Sequence, residues 1–305
     1  MIDEFGISGT PLKETIDYAK VAAAHATPAV RQAAMKLFCE IFQHVGEVIR
    51  NFMGDIKEST LKMIDAELNK ITPYKKGEHQ KKRNFGVEEV AADGKPKKVK
   101  EEDPFADLPR EDISKKLTSK LMEQFKHKDW KVRKKAGDDI EAILREAKMR
   151  IEANGLNGLM DAMKNGMKDP NKAVVKVYII LLGLLAEAIG APIKQFGKKC
   201  FVPMLANLSD KQSLVRDAVI NTVNKWSEAI SPEFAINYLA QTIATENPEL
   251  RTEGLKWITE NKESIKDADT KEMIKPLIAC LTDKSKAVRE ASEKLIMIVM
   301  PIVGY

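Results

Sequence analysis

Four histidines and three cysteines make up the chain's stock of obvious ligand and nucleophile chemistry, and none is grouped. His25, His44, His79 and His127 stand far apart, with no H-E-x-x-H helix to hold zinc, no G-x-S-x-G turn to expose a nucleophile and no clustered acidic metal loop. Cys39, Cys200 and Cys280 form no C-x-x-C pair, which leaves them as reduced packing thiols. The nearest approach to a phosphate loop runs from Gly190 to Gly197-Lys198-Lys199. It has six residues between the glycines where a P-loop has four, and Lys199 where Ser or Thr would bind magnesium. A helix-ending glycine at Gly190 is the better account. The residues point to no enzyme, no metal and no cofactor.

What the side chains can do is bind, because one short pattern keeps returning: an acidic residue, a polar or basic turn, then Val-Arg opening an apolar helix. It appears as Asp129-Trp130-Lys131-Val132-Arg133, as Asp210 through Val215-Arg216, and as Asp283 through Val288-Arg289. Asp169 through Val174, Asn247-Pro248-Glu249-Leu250-Arg251 and Thr27 through Arg31 are looser copies. The aligned apolar residues at 132, 174, 215, 250 and 288 lie 42, 41, 35 and 38 positions apart, the period of paired-helix solenoids of the HEAT and armadillo kind. In a solenoid the turns within each pair line up along one edge and read a partner together. Here that edge carries Lys128, Trp130 and Lys131, then Asn171 and Lys172, then Lys211 and Gln212, then Glu249, then Lys284 and Lys286.

Trp130 precedes Val132, the first apolar position of its helix, which puts it in the turn beside Lys131. Its composition is that of an interface anchor; folding back as a cap over the first helix pair is the alternative. Trp226 and Trp257 fall on apolar stripes and belong to the core. Arg31, Arg133, Arg216 and Arg289 follow core valines, so Asp and Arg at fixed positions can form ladders between stacked repeats, a role favoured over partner contact.

The elements behind these turns are helical. In 305 residues, 31% are charged, 6% aromatic and 44% hydrophobic, a balance typical of long helices with solvated outer faces. The fold class is all-α, an α-solenoid of HEAT repeats. A net charge of +5 is mild for a dedicated nucleic-acid binder and suits an acidic protein partner. The N-terminus has no secretion-signal pattern and no apolar run spans a membrane, which predicts a cytosolic monomer.

Three segments follow. Residues 1–72 read as the closing HEAT repeats of a larger array, with one stripe through Ile41, Val45, Val48, Ile49 and Phe52 and another through Leu61, Ile64, Leu68 and Ile71. Residues 73–108 alternate basic and acidic clusters, from Lys75-Lys76 to Glu101-Glu102-Asp103; they read as a flexible tether whose lysines could also hold an acidic surface. Residues 109–305 contain five helix pairs. Pro192, Pro203, Pro232, Pro248 and Pro276 are expected at helix beginnings or early turns.

Asp107 through Arg110, Lys128-Asp129-Trp130-Lys131-Val132-Arg133, Ser209-Asp210-Lys211 with Val215-Arg216, and the ending Ile302-Val303-Gly304-Tyr305 resemble a TOG domain of the ch-TOG and Mini spindles microtubule polymerases, most of all the fourth in that series. The resemblance implies a paddle of HEAT repeats whose turn edge binds αβ-tubulin or the microtubule lattice, at plus ends, centrosome or spindle. It assigns the first-turn role to Trp130 and Lys131, the second to Asn171 and Lys172, the third to Lys211 and the fifth to Lys284 and Lys286. The fourth turn departs from the pattern, since Pro248 and Glu249 offer no cation, which implies a lattice or spacer role. Another HEAT scaffold, of transport-receptor or phosphatase type, is the competing reading. A nucleic-acid-binding array is disfavoured by the mild charge.

Overall fold

The computed structural model describes residues 2, 7, 10–74 and 110–303. The tether read over 73–108, His79 included, lies outside the described residues apart from Pro73 and Tyr74, as do 107–109 and 304–305 of the resemblance. Two compact units, Met1–Arg110 and Glu111–Tyr305, each enclose their own apolar core.

In the first unit, α1 (Leu12–Ala23) packs against α2 (Pro28–Val45), which starts on a proline whose missing amide proton costs nothing at the first helical position. The stripe from Ile41 to Phe52 is not one helix. Gly46 stops α2 at φ 64°, donating its N–H to the Phe42 carbonyl, and a 3₁₀ segment Gly46–Phe52 takes over. Ile41, Val45 and Ile49 are nevertheless all buried. The next helix, α3 (Glu58–Leu68), packs Ile64 and Leu68 onto α2 with no exposed surface left on either.

The second unit is a succession of helix pairs. These are α4 (Ser119–Gln124) with α5 (Trp130–Glu146), and α6 (Asn157–Gly166) with α7 (Lys172–Ile189). Next, an irregular first member runs from Ala191 to Ser209 and pairs with α8 (Ser213–Ala229). The last two pairs are α9 (Pro232–Ile243) with α10 (Pro248–Glu260), and α11 (Lys271–Cys280) with α12 (Lys286–Val303). The second helices of the first three pairs stack side by side, α5 on α7 on α8, while α10 packs on α9 and α12. The central α7 is apolar on almost every face, as a helix with neighbours all round must be.

Three placements differ from the sequence reading. The first member of the third pair is a string of 3₁₀, π and single-turn α segments, broken where Gly197 lets the Phe234 ring approach; a Cβ there would lie 2.9 Å from that ring. Pro276 sits inside α11 and not at its start. Val132 is only half-buried, and α5 buries Ala136, Gly137, Ile140 and Leu144 instead. Trp226 and Trp257 are in the core, where their indole N–H groups donate to the Leu182 carbonyl at 3.2 Å and to Asn224 Oδ1 at 2.8 Å. Gly190 ends α7 at φ 70° with its N–H on the Ala186 carbonyl, the cap read from the sequence.

Each second helix begins at a turn and runs to the opposite edge, where the repeats connect. There an extended strap enters from the N-terminal side: the Glu111 N–H donates to the Arg150 carbonyl and the Glu152 N–H to the Glu111 carbonyl, both at 3.0 Å. Under the first turn, Tyr178 is the keystone. It reaches from α7 between Gly137 and Gly166, packs edge-on to Phe125 at 5.4 Å, and donates its hydroxyl to the Arg133 carbonyl at 2.8 Å. A Cβ on Gly166 would overlap the Tyr178 ring. Gly166→Ala is therefore expected to destabilise this unit by about 1–3 kcal/mol, the usual cost of overpacking, read as a lower urea midpoint at unchanged slope.

Candidate protein-binding edge

The turns that precede α5, α7, α8 and α12 share a construction that starts with a side chain capturing the backbone two residues on. Asp169 Oδ1 accepts from the Asn171 N–H at 2.8 Å, Asp210 Oδ1 from Gln212 at 3.0 Å and Asp283 Oδ1 from Ser285 at 2.7 Å. In the first turn the same place belongs to His127, whose Nδ1 accepts from the Asp129 N–H at 3.0 Å; His25 does this for Thr27 in the other unit. The sequence reading took Asp129 as the counterpart of Asp210. It stands two positions later, where its carboxylate caps α5 through the Lys131 N–H at 2.9 Å. An alignment on Val132 rather than on the acidic residue reveals the shift, because five residues back from each aligned apolar position are His127, Asp169, Asp210, Thr245 and Asp283.

The arginine six residues after this captor closes the turn from the other side. Arg133 donates to the His127 and Lys128 carbonyls at 2.7 and 2.9 Å, Arg216 to those of Asp210 and Lys211, Arg289 to those of Asp283 and Lys284, and Arg31 to those of His25 and Ala26. The turns before α5, α8 and α12, and the one before α2, are thus braced from both sides before any partner arrives.

Cations also cross from one turn to the next. Arg133 grips Asp169 with two bonds of 2.6 and 2.9 Å, Lys172 pairs with Asp210 at 2.6 Å, and Arg251 pairs with Asp283. Between the third and fourth turns the acceptor position is Thr245, which has no carboxylate. The edge is stitched as two blocks, turns one to three and turns four to five. Burial alone would raise the carboxyl pKa values of Asp169 and Asp210. The Arg133 or Lys172 side chain and the captured N–H outweigh it and hold both below the ordinary range.

All seven residues expected to bind fall on this edge. Trp130 and Lys131 open α5, Asn171 caps α7 and Lys172 opens it, Lys211 precedes α8 by two residues, Lys284 precedes α12 by two and Lys286 opens it. Trp130 keeps 38% of its surface exposed, and Lys131, Lys211, Lys284 and Lys286 face solvent. Lys286 has only a loose 3.4 Å contact with Glu290 on the helix surface, a kind of pair worth little. Two residues carry a structural duty that the sequence did not disclose: Asn171 Oδ1 is occupied by the Ala173 N–H, and Lys172 is the rung to Asp210. Sequence reasoning also passed over Leu214, whose side chain is 60% exposed beside Lys211.

Among the described residues no group of histidine, cysteine and acidic side chains could hold a metal ion, and no helix is long and apolar enough to cross a membrane. Cys200 and Cys280 are buried and Cys39 is partly so; burial pushes the Cys200 thiol up to about 12, and its Sγ–H donates to the Met160 carbonyl.

Because the folded pKa of Asp169 is depressed, its contribution to stability is complete above the unfolded value near 3.8 and is lost as pH falls through the lower folded value. Asp169→Asn keeps an acceptor for the turn and removes the charge. It is expected to cost on the order of 3 kcal/mol at neutral pH by leaving Arg133 unpaired. The gap between wild type and variant in urea unfolding should narrow below about pH 4; a gap that does not change with pH would mean the stitch is not electrostatic.

No family model matches the chain. Protein MOR1 of Arabidopsis thaliana is 30% identical over 311 residues, 99% of this chain and 15% of the relative. Protein mini spindles of Drosophila melanogaster is 26% identical over 324 residues, 100% of this chain and 16% of the relative. The chain therefore spans about a seventh of the length of the curated relatives it matches. A solved structure concerned with microtubule plus-end tracking by XMAP215, CLIP-170 and EB1 superposes with a TM-score of 0.55 at 21% identity, over 64% of this chain and 87% of that one. Another, concerned with tubulin recruitment and assembly by microtubule polymerases with TOG domain arrays, gives 0.57 at 18% identity over 96% and 61%. At such identity the structures speak for the fold, and the sequence similarity runs the whole length of the chain. Over its whole length the chain is similar to one stretch of MOR1 and of Mini spindles, and its second unit has the paired-helix fold of TOG domains.

Proposed function

We propose that this segment is a tubulin-binding module of a microtubule-assembly factor, and that it engages αβ-tubulin through the turn edge. The observation that carries the proposal is the row itself: pre-shaped turns that hold an exposed indole and several unpaired ammonium groups along one side of a stitched stack. A half-exposed tryptophan among lysines is the composition of an interface anchor with a charged rim. The solved structure concerned with tubulin recruitment by TOG arrays supports the choice of partner.

On this reading Trp130 enters an apolar recess of tubulin while Lys131, Lys211, Lys284 and Lys286 meet an acidic surface. Asn171 and Lys172 act mainly by holding the second turn in line. Residues 1–72 are the last repeats of a preceding domain of the same kind, and 73–108 tether the two. In a protein several times longer, tethered domains would raise the local tubulin concentration at a growing microtubule end, at plus ends or the spindle. The module's work is binding, and any nucleotide chemistry belongs to the partner.

The fourth turn opposes an acidic partner. Glu246 and Glu249 are exposed there, and the one arginine nearby, Arg251, is already paired with Asp283. This favours weak engagement of free dimers, with the lattice or a spacer role as the setting in which such a domain operates.

Size-exclusion co-migration with tubulin and co-sedimentation with microtubules test both points. Wild type should associate in a salt-sensitive manner, since rim charges act through screened electrostatics. Trp130→Ala should weaken binding at least about tenfold, and Glu249→Lys should strengthen it about three- to fivefold, roughly 1 kcal/mol. Equal binding by wild type and Trp130→Ala would remove the edge from the interface.

A further inference from the structure

We infer that Leu214 is a second apolar anchor of the turn edge, received by the same tubulin dimer that receives Trp130. The inference rests on the tubulin reading above and adds to it a contact that is neither aromatic nor charged.

Leu214 is the second residue of α8. The next residue, Val215, is 1% exposed, whereas Leu214 itself is 60% exposed, so the core is filled without it. The corresponding positions of the other turns, one before the aligned apolar residue, are Lys131, Ala173, Glu249 and Ala287. A large aliphatic side chain stands there only in the third turn. A lone exposed leucine would need no explanation. This one differs because it is aimed. Asp210 holds the Gln212 N–H, Arg216 holds the Asp210 and Lys211 carbonyls, and Lys172 holds Asp210 from the turn before. The backbone on either side of Leu214 is thereby fixed on the edge that bears Trp130.

Turns one to three form the stitched block, so the indole and the leucine are carried on a single rigid frame. Two helix-to-helix steps of about 8–10 Å separate them, roughly 20 Å in all. A rigid pair of apolar groups at fixed separation discriminates between partner shapes better than lysines do, because flexible ammonium groups adapt to any acidic surface. Lys211 beside Leu214 supplies the rim charge that would surround such a contact.

The test uses the whole chain and purified αβ-tubulin, with Leu214→Ala, Leu214→Glu, Leu214→Met, Lys211→Ala and Trp130→Ala measured for affinity at several salt concentrations and for melting temperature. Leu214→Ala is expected to weaken binding about fivefold by the same factor at every salt concentration, Leu214→Glu by more, and Leu214→Met hardly at all. Lys211→Ala should instead change the salt slope. The Leu214 variants should melt close to wild type, since most of the residue is exposed. If Trp130→Ala weakens binding while Leu214→Ala and Leu214→Glu bind as wild type does, the inference is overturned and the tubulin reading stands. If wild type itself fails to bind, or Trp130→Ala makes no difference, the tubulin reading falls and takes this inference with it.

Discussion

A carboxylate in one turn held by a cation from the turn before is the contact on which the rest of this edge depends. Arg133 on Asp169, Lys172 on Asp210 and Arg251 on Asp283 each join two repeats at the place where a partner would touch them. Pairs of this kind, with the carboxylate buried and the cation partly exposed, contribute little net stability against well-packed apolar residues, but they are costly to break and they fix register. Stability of the stack comes from the apolar core between the helices, which runs unbroken from Ile113 to Val299. The ion pairs decide which way the turns face.

The same carboxylates do a second job. Asp169, Asp210 and Asp283 each accept a backbone N–H two residues on while they accept the cation. After Asp210 and Asp283, the arginine six residues later fastens the carbonyls that remain. Few turn groups are left free to adapt, so side chains with no internal duty, Trp130, Lys131, Lys211, Leu214 and Lys284, are displayed from a fixed backbone. Preorganisation of this sort lowers the ordering cost of association. It also accounts for the block structure of the edge: with Thr245 in place of an acid, the third and fourth turns lack the rung that joins the others.

Much of this was legible in the residues, and the misses have physical causes. The 35-to-42-residue period and the apolar stripes gave the paired helices and the row of turns, because 3.6-residue periodicity survives any detail of capping. Trp226 and Trp257 were readable as core for the same reason. His127 was not readable as the counterpart of Asp210, since a neutral imidazole nitrogen and a carboxylate oxygen accept the same N–H but look unrelated in a sequence. Lys172 looked like a free surface cation because its partner, Asp210, lies a whole repeat away. The helix break at Gly46 was hidden by a stripe that stays buried through the 3₁₀ segment, and the irregular first member of the third pair is set by tertiary packing around Phe201, Trp226 and Phe234. Leu214 was overlooked because a leucine one place before a core valine reads as more core.

The central claim is that the turns, and not the connector edge with its strap at Glu111 and Ile151, face tubulin. Amide hydrogen exchange of the whole chain with and without αβ-tubulin tests it most directly. The account predicts added protection at 127–131 and 210–214, with the connectors at 147–156 unchanged. Protection concentrated on 147–156, with the turns exchanging as they do in the free chain, would contradict it.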